Sequence, residues 1–264
     1  MLDRLWVGFR LRLLRALRGE RRLSVDASNS LSLSVSVVDV LSALCLPAML
    51  SADRIAALLQ PFVPDASPGL AEQLQKYLDL LLRWNARTNL TAIRDPEQIV
   101  ARHFGESLFA AHVLRDSGAF ASSANTLADL GSGAGFPGIP IHLVAPDVGL
   151  TLIESHNKKA TFLREVSRAL KLDSVKVFHG RAQDWPRQAG IVTLRAVEKF
   201  DQVLPVAASL VAPGGRLCLL IGSAQLAASA RLLGPTWQFS SACEVPQSNG
   251  RIVILADRNG ESNE

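Results

Sequence analysis

Cysteine is scarce in this chain of 264 residues: Cys45, Cys218 and Cys243 are the full complement, far apart and in no C-x-x-C pair. A disulfide framework and the usual paired-thiolate zinc sites are thereby excluded, and no metal site is expected. The odd, scattered thiols suit a reducing compartment, so the chain is expected in the cytoplasm. Long apolar runs are missing too, since charges interrupt every stretch before the roughly 18 residues needed to cross a bilayer. Aromatic residues make up 6% of the chain, with a single tyrosine, and form no aromatic-rich RNA-binding module. A Gly-Lys-Ser/Thr sequence is absent, which rules out a P-loop.

The positive charge is unevenly placed. The formal net charge is +4, but residues 1–48 alone hold seven arginines against four carboxylates. A polyanionic partner of the main body must therefore be met by local patches and not by a general field. Residues 1–48 read as an extension, with an arginine-rich amphipathic stretch followed by the serine-valine run 31–38. Arginines break its apolar pattern, so a secretory leader is not indicated. Met49-Leu50-Ser51-Ala52-Asp53 is the expected start of the enzyme proper, with Ser51 capping a helix over 53–60.

Three further segments follow. Residues 49–119 are expected to form a small helical domain, because Leu74, Tyr77, Leu78, Leu81 and Leu82 recur at helical spacing up to about Asn85. A second helix should start at Asp95-Pro96, with Asp95 as cap and Pro96 in the first turn. Residues 120–258 change texture to short apolar strands alternating with helices, which predicts a doubly wound α/β domain with a mostly parallel, seven-stranded sheet. The strands fall at 126–130, 150–154, 175–178, 191–193, 216–221, 237–245 and 251–256, and 259–264 are left as a tail.

The chemistry gathers at Asp129-Leu130-Gly131-Ser132-Gly133-Ala134-Gly135-Phe136-Pro137-Gly138, where a strand runs through a glycine turn into a helix. Glycines let the backbone approach a ligand, and the helix start offers free amides. The glycines fall as G-x-G-x-G, not the G-x-G-x-x-G of dinucleotide enzymes. Asp129 would attract an ammonium group and repel a pyrophosphate, so S-adenosyl-L-methionine fits better than NAD. Glu154, at the end of the second strand, is placed to accept ribose hydroxyls. The loop Gly180-Arg181-Ala182-Gln183 can offer Ala182 and Gln183 to an adenine, and Arg195 ends the fourth strand on the ligand-binding edge.

The target is argued partly by absence. The Asn/Asp-Pro-Pro-Tyr/Phe motif of exocyclic-amine methylation is replaced by Thr193-Leu-Arg-Ala-Val, and Cys218, inside a strand, is no pyrimidine nucleophile. Guanine N7 has a free lone pair and no proton, so displacement there needs positioning without a general base. No catalytic side chain is assigned. A small-molecule methyltransferase and a non-catalytic RNA-binding protein are the alternatives. Lys158, Lys159, Arg164, Arg168 and Lys171, with Arg94, Arg102 and His103, are the candidate RNA contacts.

Several segments together carry a resemblance: Trp84-Asn85 with Asn89-Leu90-Thr91, Arg102-His103 with Glu106-Ser107-Leu108, the whole 129–140 turn, Glu154-Ser155, Lys158-Lys159, Arg181-Ala182-Gln183 and Arg195-Ala196. In these the chain resembles the bacterial ribosomal RNA small subunit methyltransferase G family, the 16S rRNA guanine-N7 methyltransferases also called glucose-inhibited division protein B. The resemblance implies a Rossmann-like methyltransferase fold and a cytoplasmic enzyme acting on one guanine of 16S rRNA; the partner is expected to be 16S rRNA or the 30S particle, and the chain to be a monomer. It also implies cofactor contacts from Gly131, Phe136, Ala182, Gln183 and Arg195, which Gly133 and Glu154 join on the reading above. The family commonly carries Glu where this chain has Gln183, and often Lys-Gly where it has Ile221-Gly222.

Overall fold

The computed structural model describes residues 50–64, 67–121, 126–195 and 199–259. The expected extension 1–48 and most of the tail lie outside these residues.

The first helix, α1 (Ala52–Leu59), begins where the sequence places a cap: Ser51 Oγ accepts the amide of Arg54 at 3.2 Å. Such a cap contributes about 1 kcal/mol. Helix α2 (Pro68–Thr88) runs three residues beyond the expected end near Asn85. It stops because Asn89 adopts a left-handed conformation at φ 48, a common way for a helix to end. The second expected helix starts as read, with Asp95 Oδ1 accepting from Gln98 N and Pro96 in the first turn. It is not one α-helix, however. After α3 (Pro96–Ile99) comes a π-helical segment, Val100–Gly105, and then α4 (Glu106–Asp116). A π segment rotates the side chains it carries relative to a regular helix, and here these include Arg102 and His103.

Strands β1 (Thr126–Leu130), β2 (Gly149–Glu154), β3 (Lys176–His179), β4 (Ala189–Arg195) and β5 (Val211–Gly222) pair in parallel, in the order β3-β2-β1-β4-β5. Between them run α5 (Gly138–Val144), α6 (Asn157–Ala169) and α7 (Phe200–Ser209), with α8 (Leu226–Leu233) after β5. The expected strand over 237–245 is two strands, β6 (Trp237–Phe239) and β7 (Cys243–Glu244), so the sheet has eight strands and not seven. Both pair antiparallel with β8 (Arg251–Arg258), but the register slips by one residue between Phe239↔Ala256 and Cys243↔Val253. Ser240 lies in the slip, where its side-chain oxygen takes the Leu255 amide that a regular ladder would pair with backbone.

The central strands are apolar on both faces, as a sheet covered on both sides requires. Leu127, Leu152, Ile191, Leu220 and Leu255 face one apolar cluster, which they share with Leu74, Tyr77, Leu81 and Phe104 of the N-terminal helices and Phe162 of α6. Their strand neighbours Ala128, Ile153, Val192, Leu219 and Ile254 face the other cluster with Leu204 and Ala207 of α7. The N-terminal helices thus lie on the sheet, beside the carboxyl ends of β1 and β4.

Candidate functional site

The glycine turn contains two kinds of glycine. Gly131 and Gly133 hold φ +66 and +57, and a Cβ built on either would meet open space or only a carbonyl at 3.7 Å. Gly135 and Gly138 face packed protein instead: a Cβ on Gly135 would lie 2.6 Å from Ile139 Cδ1, and one on Gly138 would lie 2.8 Å from Leu152 Cδ2. The first pair leaves room for a ligand to approach the backbone, while the second lets helix α5 seat against the sheet.

Beside Gly131 is a small cleft of about 200 Å³, lined also by Ile153, Ser155, Ala182, Gln183 and Val203, among others. The tight turn over Ala182–Asp184 closes one side, with Gln183 exposed and Ala182 partly buried. Gly131, Ala182 and Gln183 are thus brought together as expected. Glu154 is 4% exposed, and its carboxylate is turned to the loop, accepting the amides of Gly133 at 2.9 Å and His156 at 2.7 Å.

Phe136 and Arg195 lie together, on an aromatic side of the turn. Phe136 stacks on Tyr77 (centroids 5.5 Å apart) and on His103 (4.9 Å), and the Arg195 guanidinium lies 5.9 Å from its ring centre. The Tyr77 hydroxyl donates to the carbonyl of Ala134, pinning the loop from below. Of these partners Tyr77 was not singled out from the sequence as a site residue, because only the packing of α2 brings it under the turn.

Asp129 does not face the cleft. It is fully buried, with Oδ1 accepting the Thr193 hydroxyl at 2.7 Å and Oδ2 the amide of Gly138 at 3.3 Å. Its expected role toward an ammonium group gives way to that of an anchor for the start of α5, where amides draw a carboxylate. Burial pushes its pKa up to about 6, partly offset by hydrogen bonds from Thr193, Ser132 and Gly138.

His103 was a candidate RNA contact, and the structure removes it from the charged surface. Burial, together with Arg195, Arg102 and Arg251, lowers its pKa to about 3. Its Nδ1 lies 3.1 Å from Arg195 Nη2, so it accepts there, and Nε2 donates to Thr91 Oγ1 at 2.7 Å. Arg94 is tied to the Asn85 carbonyl and the Asn89 side chain, whereas Lys158, Arg164, Arg168 and Lys171 of α6 and its end are exposed. Two residues the sequence reading missed, Glu106 and Arg251, join Arg195 in an ion-pair cluster at this edge.

The turn, the acidic end of β2 and the Ala182–Gln183 loop all sit at the carboxyl edge of the parallel strands, where this architecture binds ligands. The profile of the family described as GidB, rRNA small subunit methyltransferase G, matches residues 70–245. The chain belongs to that family. It is accordingly an S-adenosylmethionine-dependent methyltransferase of small-subunit ribosomal RNA. A ribosomal RNA small subunit methyltransferase G of Myxococcus xanthus is 37% identical over 178 residues, covering 66% of this chain and 79% of the relative. One from Streptococcus thermophilus is 33% identical over 210 residues, covering 75% and 87%. Among solved structures, the fold is similar to a magnesium protoporphyrin IX methyltransferase from Synechocystis, at TM-score 0.53 and 12% identity over 69% of this chain and 97% of that one. It is also similar to a ribosomal protein L11 methylase from Lactobacillus delbrueckii, at TM-score 0.50 and 15% identity over 59% and 79%. Among the described residues no helix is long and apolar enough to cross a membrane.

Proposed function

We propose that this family member methylates N7 of one guanine in 16S rRNA, presented as RNA or within the 30S particle, and that it acts as a monomer in the cytoplasm. S-adenosylmethionine, when bound, supplies an electrophilic methyl group. Gly131 and Gly133 leave it room at the backbone, Ala182 and Gln183 meet the adenine, and Glu154 stands at the ribose. Phe136 and Arg195 face the other end of the turn, where Arg195 offers a cation to an anionic group.

The observation that carries the choice of N7 is that the titratable groups around the turn are already engaged. Asp129 has both oxygens bonded inside the protein, Glu154 holds two amides, and His103 has both ring nitrogens paired. Cys218 is fully buried in β5, and its pKa is pushed up to about 12 by burial. A nitrogen lone pair that carries no proton is the nucleobase target best suited to a turn whose described neighbours Asp129, Glu154 and His103 are engaged and whose described cysteine in β5 is buried. Exposed Lys158, Arg164 and Arg168 provide the phosphate contacts that hold the RNA. Incubation with methyl-labelled S-adenosylmethionine and 30S subunits, followed by nucleoside analysis, tests this. The expected product is 7-methylguanosine; label in any other nucleoside, or none in RNA, refutes the assignment.

A further inference from the structure

We infer that Glu106 is a positioning residue of this enzyme: its carboxylate holds Arg195 and Arg251 side by side, so that the pair presents surplus positive charge to one anionic oxygen of cofactor or RNA. The inference rests on the placing of Arg195 at the functional edge. Glu106 is 1% exposed and opens helix α4 directly after the π segment. Its Oε1 takes Arg102 Nε at 3.0 Å, and its Oε2 takes Arg195 Nη2 at 2.9 Å and Arg251 Nη2 at 3.0 Å. The three guanidiniums come from three elements: the π segment, the end of β4 and the start of β8. Arg251 lies opposite Gly222 at the end of β5, so both strand arginines stand at the carboxyl edge of the parallel strands.

One carboxylate balances one arginine, and two positive charges remain. Like charges at this separation repel, so without Glu106 the two strand arginines would have no common anchor. The cluster is also incompletely satisfied: Nε of Arg195 and Nε of Arg251 are buried with no hydrogen-bond partner among the described residues. Burying unpaired donors and uncompensated charge is a poor way to stabilise a fold, and well-packed apolar side chains would serve at least as well. Such arrangements persist where charge is wanted at a site. The cluster is open on one side, because Arg102 and Arg251 keep 48% and 23% side-chain exposure while Arg195 keeps 8%.

The test compares Glu106→Gln, Glu106→Asp, Arg195→Ala and the Glu106→Gln/Arg195→Ala double variant in the full chain. Thermal unfolding, S-adenosylmethionine affinity by calorimetry, and kcat and KM on 30S subunits across a salt series are the readouts. Expected are a fall in kcat/KM of at least tenfold in folded Glu106→Gln, partial recovery in Glu106→Asp, and a double variant no worse than Arg195→Ala. A weakened cofactor affinity with an unchanged salt slope identifies the anion as the cofactor carboxylate. A slope shallower by about one unit with unchanged cofactor affinity identifies an RNA phosphate. Wild-type kinetics in folded Glu106→Gln, or losses that simply add, overturn the inference. If Glu106→Gln does not fold, Glu106→Asp decides: lowered kcat/KM at an unchanged melting temperature supports the inference, and unchanged kcat/KM overturns it. Wild-type behaviour of Arg195→Ala overturns the placing of Arg195 itself, which separates that failure from a failure of Glu106 alone.

Discussion

Glu154 and Gly133 are joined by a hydrogen bond of 2.9 Å from the glycine amide to Oε2, which ties the end of β2 to the middle of the glycine turn. The other oxygen of the same carboxylate holds the His156 amide at 2.7 Å. The residue expected to read the ribose therefore shapes the glycine turn itself. Glu154→Gln places an NH2 group against one of these amide donors. Its cofactor dissociation constant is expected to rise about tenfold, the equivalent of ~1.4 kcal/mol, with the fold retained. Calorimetry with S-adenosylmethionine decides, and an unchanged constant would show that neither role matters for binding.

The two kinds of glycine predict two kinds of failure. Gly133→Val puts a side chain into open space at a φ of +57, which costs about 1–2 kcal/mol of backbone strain but leaves the core intact. The variant should fold and lose cofactor binding. Gly135→Val adds a clash with Ile139 to an equally unfavourable φ of +91, so it should be destabilised well beyond Gly133→Val. Melting curves beside cofactor titrations separate the two, and identical behaviour of both variants would contradict the division.

Opposite pH dependences are expected at His103 and Asp129. The folded pKa of His103 is about 3 against an ordinary 6.5. The unfolded chain therefore binds the proton first, and stability falls as pH drops through this window, by about 1.4 kcal/mol per unit. For Asp129 the folded pKa is about 6 against 3.8, so the folded state binds the proton first and stability rises as pH drops between those values. Between about pH 6 and 4 the two slopes oppose each other. Denaturant unfolding across this range should show a steeper acid loss in Asp129→Asn than in the native chain. In His103→Gln the loss should be shallower, or reversed. A His103→Gln slope equal to the native one would mean that His103 titrates normally in the fold.

A chain beginning at Met49 is expected to fold and to keep full cofactor affinity. Residues 49–264 form one compact unit, and the family match begins at residue 70. Circular dichroism and calorimetry on that shorter chain check it, and loss of either property would make the preceding residues part of the enzyme.

Local pattern in the sequence was enough for the strand-turn-helix at 129–138, the caps at Ser51 and Asp95, and the alternation of strands and helices, because each depends on residues close in the chain. The glycine spacing likewise pointed to the methyl donor without any tertiary information. Three features depended on contacts distant in sequence. The strand over 237–245 divides because of its register against β8, which no local propensity encodes. Asp129 turns inward because Thr193, 64 residues away, and the start of α5 offer it donors that the cleft does not. The pairing of Glu106 with Arg195 and Arg251 joins a helix to two strands. Charged residues read from sequence belong by default to the surface, and only the packing of the π segment against the sheet edge determines that this carboxylate is buried among arginines.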